Sequence, residues 1–109
     1  MKLNLIVLKT NKLKEVVDFY RELGLVFQPE QHGNEPIHFS ATADGVVLEI
    51  YSYQEPDSSN VIGFYVDNLI DIILDRAYSP ILITNGEATS SIYDPDGRKV
   101  FLTQRRICK

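Results

Sequence analysis

The sequence runs through the same order of signals twice. An alternating strand leads into an amphipathic helix, three short strand signals follow, and the second half then starts the order again. The helix caps expected at Asn11 and Asp67 stand roughly fifty residues apart, as do the Asp-Gly turns beginning at Asp44 and Asp96. Units of that size, each a sheet with one helix, must find cover for an apolar face. The expectation is an α+β chain of two βαβββ modules in a single domain spanning 1–109. Module one covers 1–53, a linker 54–60, and module two 61–104.

Each element has a local cause. Residues 2–9 alternate, with Leu3, Leu5 and Val7 on one face and Asn4, Ile6 and Leu8 on the other. Both faces are mostly apolar, so the strand is expected to be buried on both sides. Thr10 or Asn11 is placed to cap the next helix. Leu13, Val16, Val17, Tyr20 and Leu23 form its apolar stripe, and Gly24 is placed to end it in a left-handed turn. Strands are expected at 25–28, stopping at Pro29, at 36–41, and at 46–53 after the Asp44-Gly45 turn. In module two a strand at 61–66 precedes a helix capped by Asp67 or Asn68. Asp71 is placed as a weaker capping-box partner, and the apolar face reads Leu69, Ile70, Ile73, Leu74 and Ala77. Pro80 stops that helix near Tyr78. Strands at 81–84, 88–93 and 99–104 are separated by Asn85-Gly86 and by the tight turn Asp94-Pro95-Asp96-Gly97.

Composition sets limits on function. The 109 residues carry a net charge of −4, so no general attraction to nucleic acid or an acidic membrane is expected. Arg105, Arg106 and Lys109 read as a solvated tail. The only cysteine, Cys108, rules out an intramolecular disulfide and a CxxC metal knuckle. No signal-peptide pattern opens the chain and no apolar run approaches a membrane span, so a cytoplasmic location is expected. There is no G-x-S-x-G, P-loop or G-x-G-x-x-G.

Four stretches together resemble one family. They are Lys12–Phe27 (KLKEVVDFYRELGLVF), Gly45–Tyr51 (GVVLEIY), Ile62–Asn68 (IGFYVDN) and Asp94–Thr103 (DPDGRKVFLT). Over essentially the whole chain they resemble the vicinal oxygen chelate superfamily, which includes glyoxalase I, the bleomycin-resistance proteins and the extradiol dioxygenases. The resemblance implies curled mixed sheets around a concave pocket. It also implies four metal-ligand positions, usually His, Glu, His and Glu. Here those positions fall on Leu5, Glu49, Val61 and Phe101. A divalent ion needs three or four N, O or S donors, and hydrocarbon side chains supply none. No metal and no other cofactor is therefore expected. A site rebuilt from His32, His38 and Glu49 is conceivable, but a partly buried strand histidine and a solvated loop histidine are the simpler account.

With the family's geometry, period-two counting turns a set of side chains into the pocket. The ligand-binding candidates are Leu5, Val7, Val47, Glu49, Tyr51, Val61, Tyr65, Lys99, Phe101 and Thr103, with Leu3 and Gly63 on the same faces. This lining suits a small organic ligand, with a planar or cationic part. Glu49 can pair a ligand amine, or be held internally by Lys99 or Tyr65. The function expected is metal-free small-molecule binding resembling the bleomycin-resistance branch. The alternative is a glyoxalase-like lyase or isomerase, with Glu49 as the catalytic general base or as a metal ligand. A third reading is an interaction module with a collapsed cavity. The resemblance also implies a homodimer, since exposed sheet edges invite a partner.

Overall fold

A computed structural model describes residues 1–105 except 56, 75 and 77–79. The expectations for Ala77, Tyr78, Arg106, Cys108 and Lys109 lie outside the described residues. The chain divides into two compact units, Met1–Asp57 and Ser58–Lys109. No helix among the described residues is long and apolar enough to cross a membrane.

The first unit contains β1 (Leu5–Thr10), α1 (Leu13–Glu22), β2 (Gln28–Glu30), β3 (His38–Ala43) and β4 (Val46–Ser52). Its sheet has the order β1-β4-β3-β2, with β1 parallel to β4 and the other pairs antiparallel. One face is dry: Val16, Val17 and Tyr20 of α1 are buried together with Leu8, Ala41, Leu48 and Ile50. Burying each such side chain contributes about 1.5–3 kcal/mol.

Strand β1 is not buried on both sides as expected. Leu8 and Thr10 are buried, while Leu3, Leu5 and Val7 are 64%, 46% and 40% exposed. A single helix covers a single face, so the other apolar face of β1 stays open. The helix cap also differs. The N-cap is Lys12, without a side-chain cap bond, and the Thr10 hydroxyl accepts from the Lys12 N–H at 2.9 Å. At the other end Gly24 (φ +113°) closes the helix as expected, its N–H donating to the Arg21 carbonyl. The second strand lies later than expected and runs through Pro29. It is an edge strand, where a missing ladder donor is tolerated. The Asp44-Gly45 turn has positive φ at both residues, 49° and 82°, the two-residue hairpin geometry its sequence predicts.

The second unit contains β5 (Ile62–Tyr65), α2 (Leu69–Leu74), β6 (Leu82–Thr84), β7 (Glu87–Tyr93) and β8 (Lys99–Gln104). Its sheet order, β5-β8-β7-β6, repeats that of the first, including the parallel central pair. The fold is thus α+β with two four-stranded mixed sheets. Helix α2 turns a different face inward from the expected one. Leu69, Ile72 and Ile73 are buried, and Ile70 and Leu74 are 56% and 72% exposed. Its first turn is capped from a distance: the Leu69 N–H donates to Oε1 of Gln104, at the end of β8. No bond from Asp67 or Asp71 takes that place among the described contacts.

The DPDG turn does more than reverse the chain. Asp94 Oδ1 accepts from the Asp96 and Arg98 N–H groups at 2.9 and 3.0 Å. Its Oδ2 accepts from the Arg98 guanidinium, which is fully buried. The same guanidinium donates through Nε to Asn60 Oδ1 at 3.0 Å and lies 3.6 Å from the Asp96 carboxylate. Asn60, read from sequence as linker, is thereby tied to the last turn of its own unit.

Candidate functional site

Sheet register builds the site in the first unit. Leu5 pairs with Val47, Val7 with Glu49, and Lys9 with Tyr51. Across β3 and β2, Ser40 pairs with both Glu49 and Gln28, while Glu30 pairs with His38. Cross-strand partners share a face and alternate residues return to it. Leu5, Val7, Val47, Glu49 and Tyr51 therefore lie on the face opposite α1, and His38 and Glu30 lie there too. The face grades from hydrocarbon at the Leu5–Val47 row to polar groups at the Glu30–His38–Tyr51 row.

The polar end is densely connected. The His38 ring is fully buried and stacks on Tyr51, with centroids 4.2 Å apart and planes within 12°. His38 Nε2 lies 3.2 Å from Glu30 Oε1 and 3.6 Å from Glu49 Oε2. Tyr51 donates its hydroxyl to Glu49 Oε1 at 3.3 Å. The His32 ring, from the exposed 31–37 loop, lies 5.3 Å from that of His38. Glu49 is 19% exposed, so it is held by neighbours and still reachable from solvent. Within this unit its partners are Tyr51 and His38.

Tyr51 reports on this arrangement. Burial, then the Glu49 charge and the hydrogen bond to it, raise the phenol above its ordinary pKa of 10.0. The folded state thus holds this proton more tightly than the unfolded chain. Stability is complete below about pH 10 and falls as pH rises from there through the folded pKa. Glu49→Gln should move Tyr51's ionisation back toward 10.0, read as phenolate absorbance against a Tyr51→Phe control. An unchanged titration would show that the Glu49 charge does not act on this ring.

In the second unit, Gly63 pairs with Phe101 and Tyr65 with Thr103. These residues lie on the face opposite the buried Ile62, Val100 and Leu102. Phe101 is 39% exposed, Tyr65 63% and Val61 54%. Lys99 Nζ sits over the Phe101 ring at 4.7 Å and the Arg105 guanidinium over Tyr65 at 3.7 Å. The Thr103 and Thr89 hydroxyls meet at 3.4 Å. A Cβ at Gly63 would meet Phe101 at an ordinary 3.7 Å, so close backbone approach within the unit does not explain that glycine.

The metal implied by the resemblance does not fit its four positions. Leu5, Val61 and Phe101 carry no donor atom, and one carboxylate does not hold a divalent ion alone. The donors of the first unit gather elsewhere. Glu30, His32 and His38 bring one ligand atom each to within 4.8 Å of one another. Sequence reasoning weighed His32 and His38 with Glu49 and missed Glu30. No local signal placed it: the hairpin that closes over 31–37 in the structure sets Glu30 directly across from His38.

No family model and no curated protein matches the chain. Solved structures do. A glyoxalase/bleomycin resistance protein/dioxygenase from Nocardioides aligns with a TM-score of 0.68 at 16% identity, over 100% of this chain and 86% of that one. TnmS3, an antibiotic-binding protein from Streptomyces sp. CB03234, gives 0.74 at 17% identity, over 96% of each chain. The oxidase ChaP-H2 gives 0.75 at 20% identity, over 96% of this chain and 94% of that one. With its repeated β-α-β-β-β order and parallel central pairs, the chain has the fold of the glyoxalase/bleomycin resistance/dioxygenase protein from Nocardioides.

Proposed function

We propose that this chain binds a small organic ligand on the open face of its first sheet, without a metal at the four positions named by the resemblance. The observation that carries this reading is the graded face itself. Val7 stands exposed in the same row as a mostly buried Glu49 held by Tyr51, and Leu5 stands exposed one row away. A planar apolar body can lie on Leu5, Val7 and Val47, with an amine or hydroxyl directed to Glu49. The antibiotic-binding activity named for TnmS3 supports a ligand of that general kind. The open face of the second sheet, with Val61, Tyr65, Lys99, Phe101 and Thr103, offers a second set of apolar and cationic contacts.

A thermal-shift panel of planar aromatic and cationic compounds tests the proposal. A ligand present at a hundred times its Kd raises stability by about 2.7 kcal/mol, and Glu49→Gln should weaken cationic ligands while sparing neutral ones. A panel in which no class of compound moves the melting temperature would refute the reading.

Glu49 also favours a second reading, because it is partly buried and already bonded to a phenol. As a general base it would take a proton next to a carbonyl. Glu49→Gln would then abolish turnover and leave binding intact. We further propose that two copies associate and work in a reducing cytoplasm, which suits a chain with one cysteine. Sedimentation at micromolar concentration reads the association directly.

A further inference from the structure

We infer that Glu30, His32 and His38 form a binding site for a divalent ion of the zinc type, apart from the four positions at which the resemblance locates a metal. The geometry starts from His38. Its ring is fully buried, Nδ1 has no hydrogen-bond partner among the described residues, and Nε2 faces two carboxylates. Two anions converging on one buried ring nitrogen call for positive charge between them. A metal ion held between them supplies it while using the Nε2 lone pair and a carboxylate oxygen together.

Spacing agrees with this. Two ligand atoms each about 2.1 Å from one ion stand about 3.0–3.4 Å apart in octahedral or tetrahedral geometry. His38 Nε2 and Glu30 Oε1 are 3.2 Å apart. The three ligand atoms lie within 4.8 Å of one another, up to about 1.4 Å beyond the tetrahedral spacing. His32 sits on the exposed 31–37 loop, so a small swing of its ring closes the difference. Glu30 and His38 are fixed by direct cross-strand pairing. Two imidazoles and one carboxylate favour zinc, nickel or cobalt over calcium or magnesium. Three protein ligands leave a coordination position for water. Glu49 Oε2, 3.6 Å from His38 Nε2, lies beside it.

The test uses the untagged full chain with cobalt(II) and zinc(II), no organic ligand being present. Cobalt should give visible d–d absorption that saturates at one equivalent, and zinc should displace it. His32→Ala and Glu30→Gln, both at solvent-reachable positions, should each lower affinity at least tenfold with an unchanged melting temperature for the metal-free protein. Cys108→Ser should change nothing. Absence of cobalt absorption at a hundred micromolar ion overturns the inference, and so does binding that survives both His32→Ala and Glu30→Gln. Because the titration contains no organic compound, its failure leaves the ligand-binding proposal standing.

Discussion

Arg98→Ala is expected to destabilise the second unit by about 3–5 kcal/mol, the usual cost of breaking a buried ion pair from one side. The guanidinium is fully buried, and so are the carboxylates around it: Asp94 is 0% exposed at its side chain and Asp96 1%. Among the described residues, both Asp96 carboxylate oxygens lack a hydrogen-bond partner. Their nearest compensation is the Arg98 charge 3.6 Å away. Removing it leaves two buried anions in a low-dielectric turn, and leaves Asn60 Oδ1 without its guanidinium donor. A loss of that size lowers the melting temperature by roughly 10–20 °C in a chain of this length.

Arg98→Lys keeps the charge but not the fork, so it should fall between wild type and Arg98→Ala. Arg98→Met combined with Asp96→Asn should recover part of the loss, because one of the two uncompensated charges goes with the cation. Chemical denaturation reads all three. An Arg98→Ala variant within 1 kcal/mol of wild type would mean that water reaches the turn and the charges are not desolvated.

How legible such features are depends on how local they are. The duplication, the stripe Val16-Val17-Tyr20 and the turns at Asp44-Gly45 and Asn85-Gly86 each follow from neighbouring residues, and the structure shows all of them. Nothing beside Arg98 in the sequence marks its burial, and one of its partners, Asn60, stands 38 positions away. The cap on α2 likewise comes from Gln104, 35 positions from Leu69, while the nearer Asp67 and Asn68 carried the expected signal. The inward face of α2 was misread because six residues give too few turns for a stripe to define itself. Of the candidate site, Glu49, Tyr51 and their strand neighbours could be put on one face by counting alone. Glu30 could not, because its place beside His38 follows from where a three-residue edge strand begins.

Adjacent residues on β1 give the sharpest contrast the fold offers. Leu8 is 1% exposed and packs on the helix side, and Val7 is 40% exposed on the open side. Leu8→Ala removes methyl groups from a closed core, where the lost transfer energy and the cavity together cost about 2–5 kcal/mol. Val7→Ala removes exposed hydrocarbon and should change stability by no more than about 0.5 kcal/mol. For ligand binding the order should invert. Val7→Arg places a cation beside Glu49, its partner in register, and should abolish binding of a cationic compound while the protein stays folded. At saturating ligand, Leu8→Ala should keep wild-type affinity after correction for its unfolded fraction. Equal destabilisation by Val7→Ala and Leu8→Ala would show instead that the native protein covers the face assigned here to ligand, and that the hydrocarbon of Leu5, Val7 and Val47 belongs to a core or an interface.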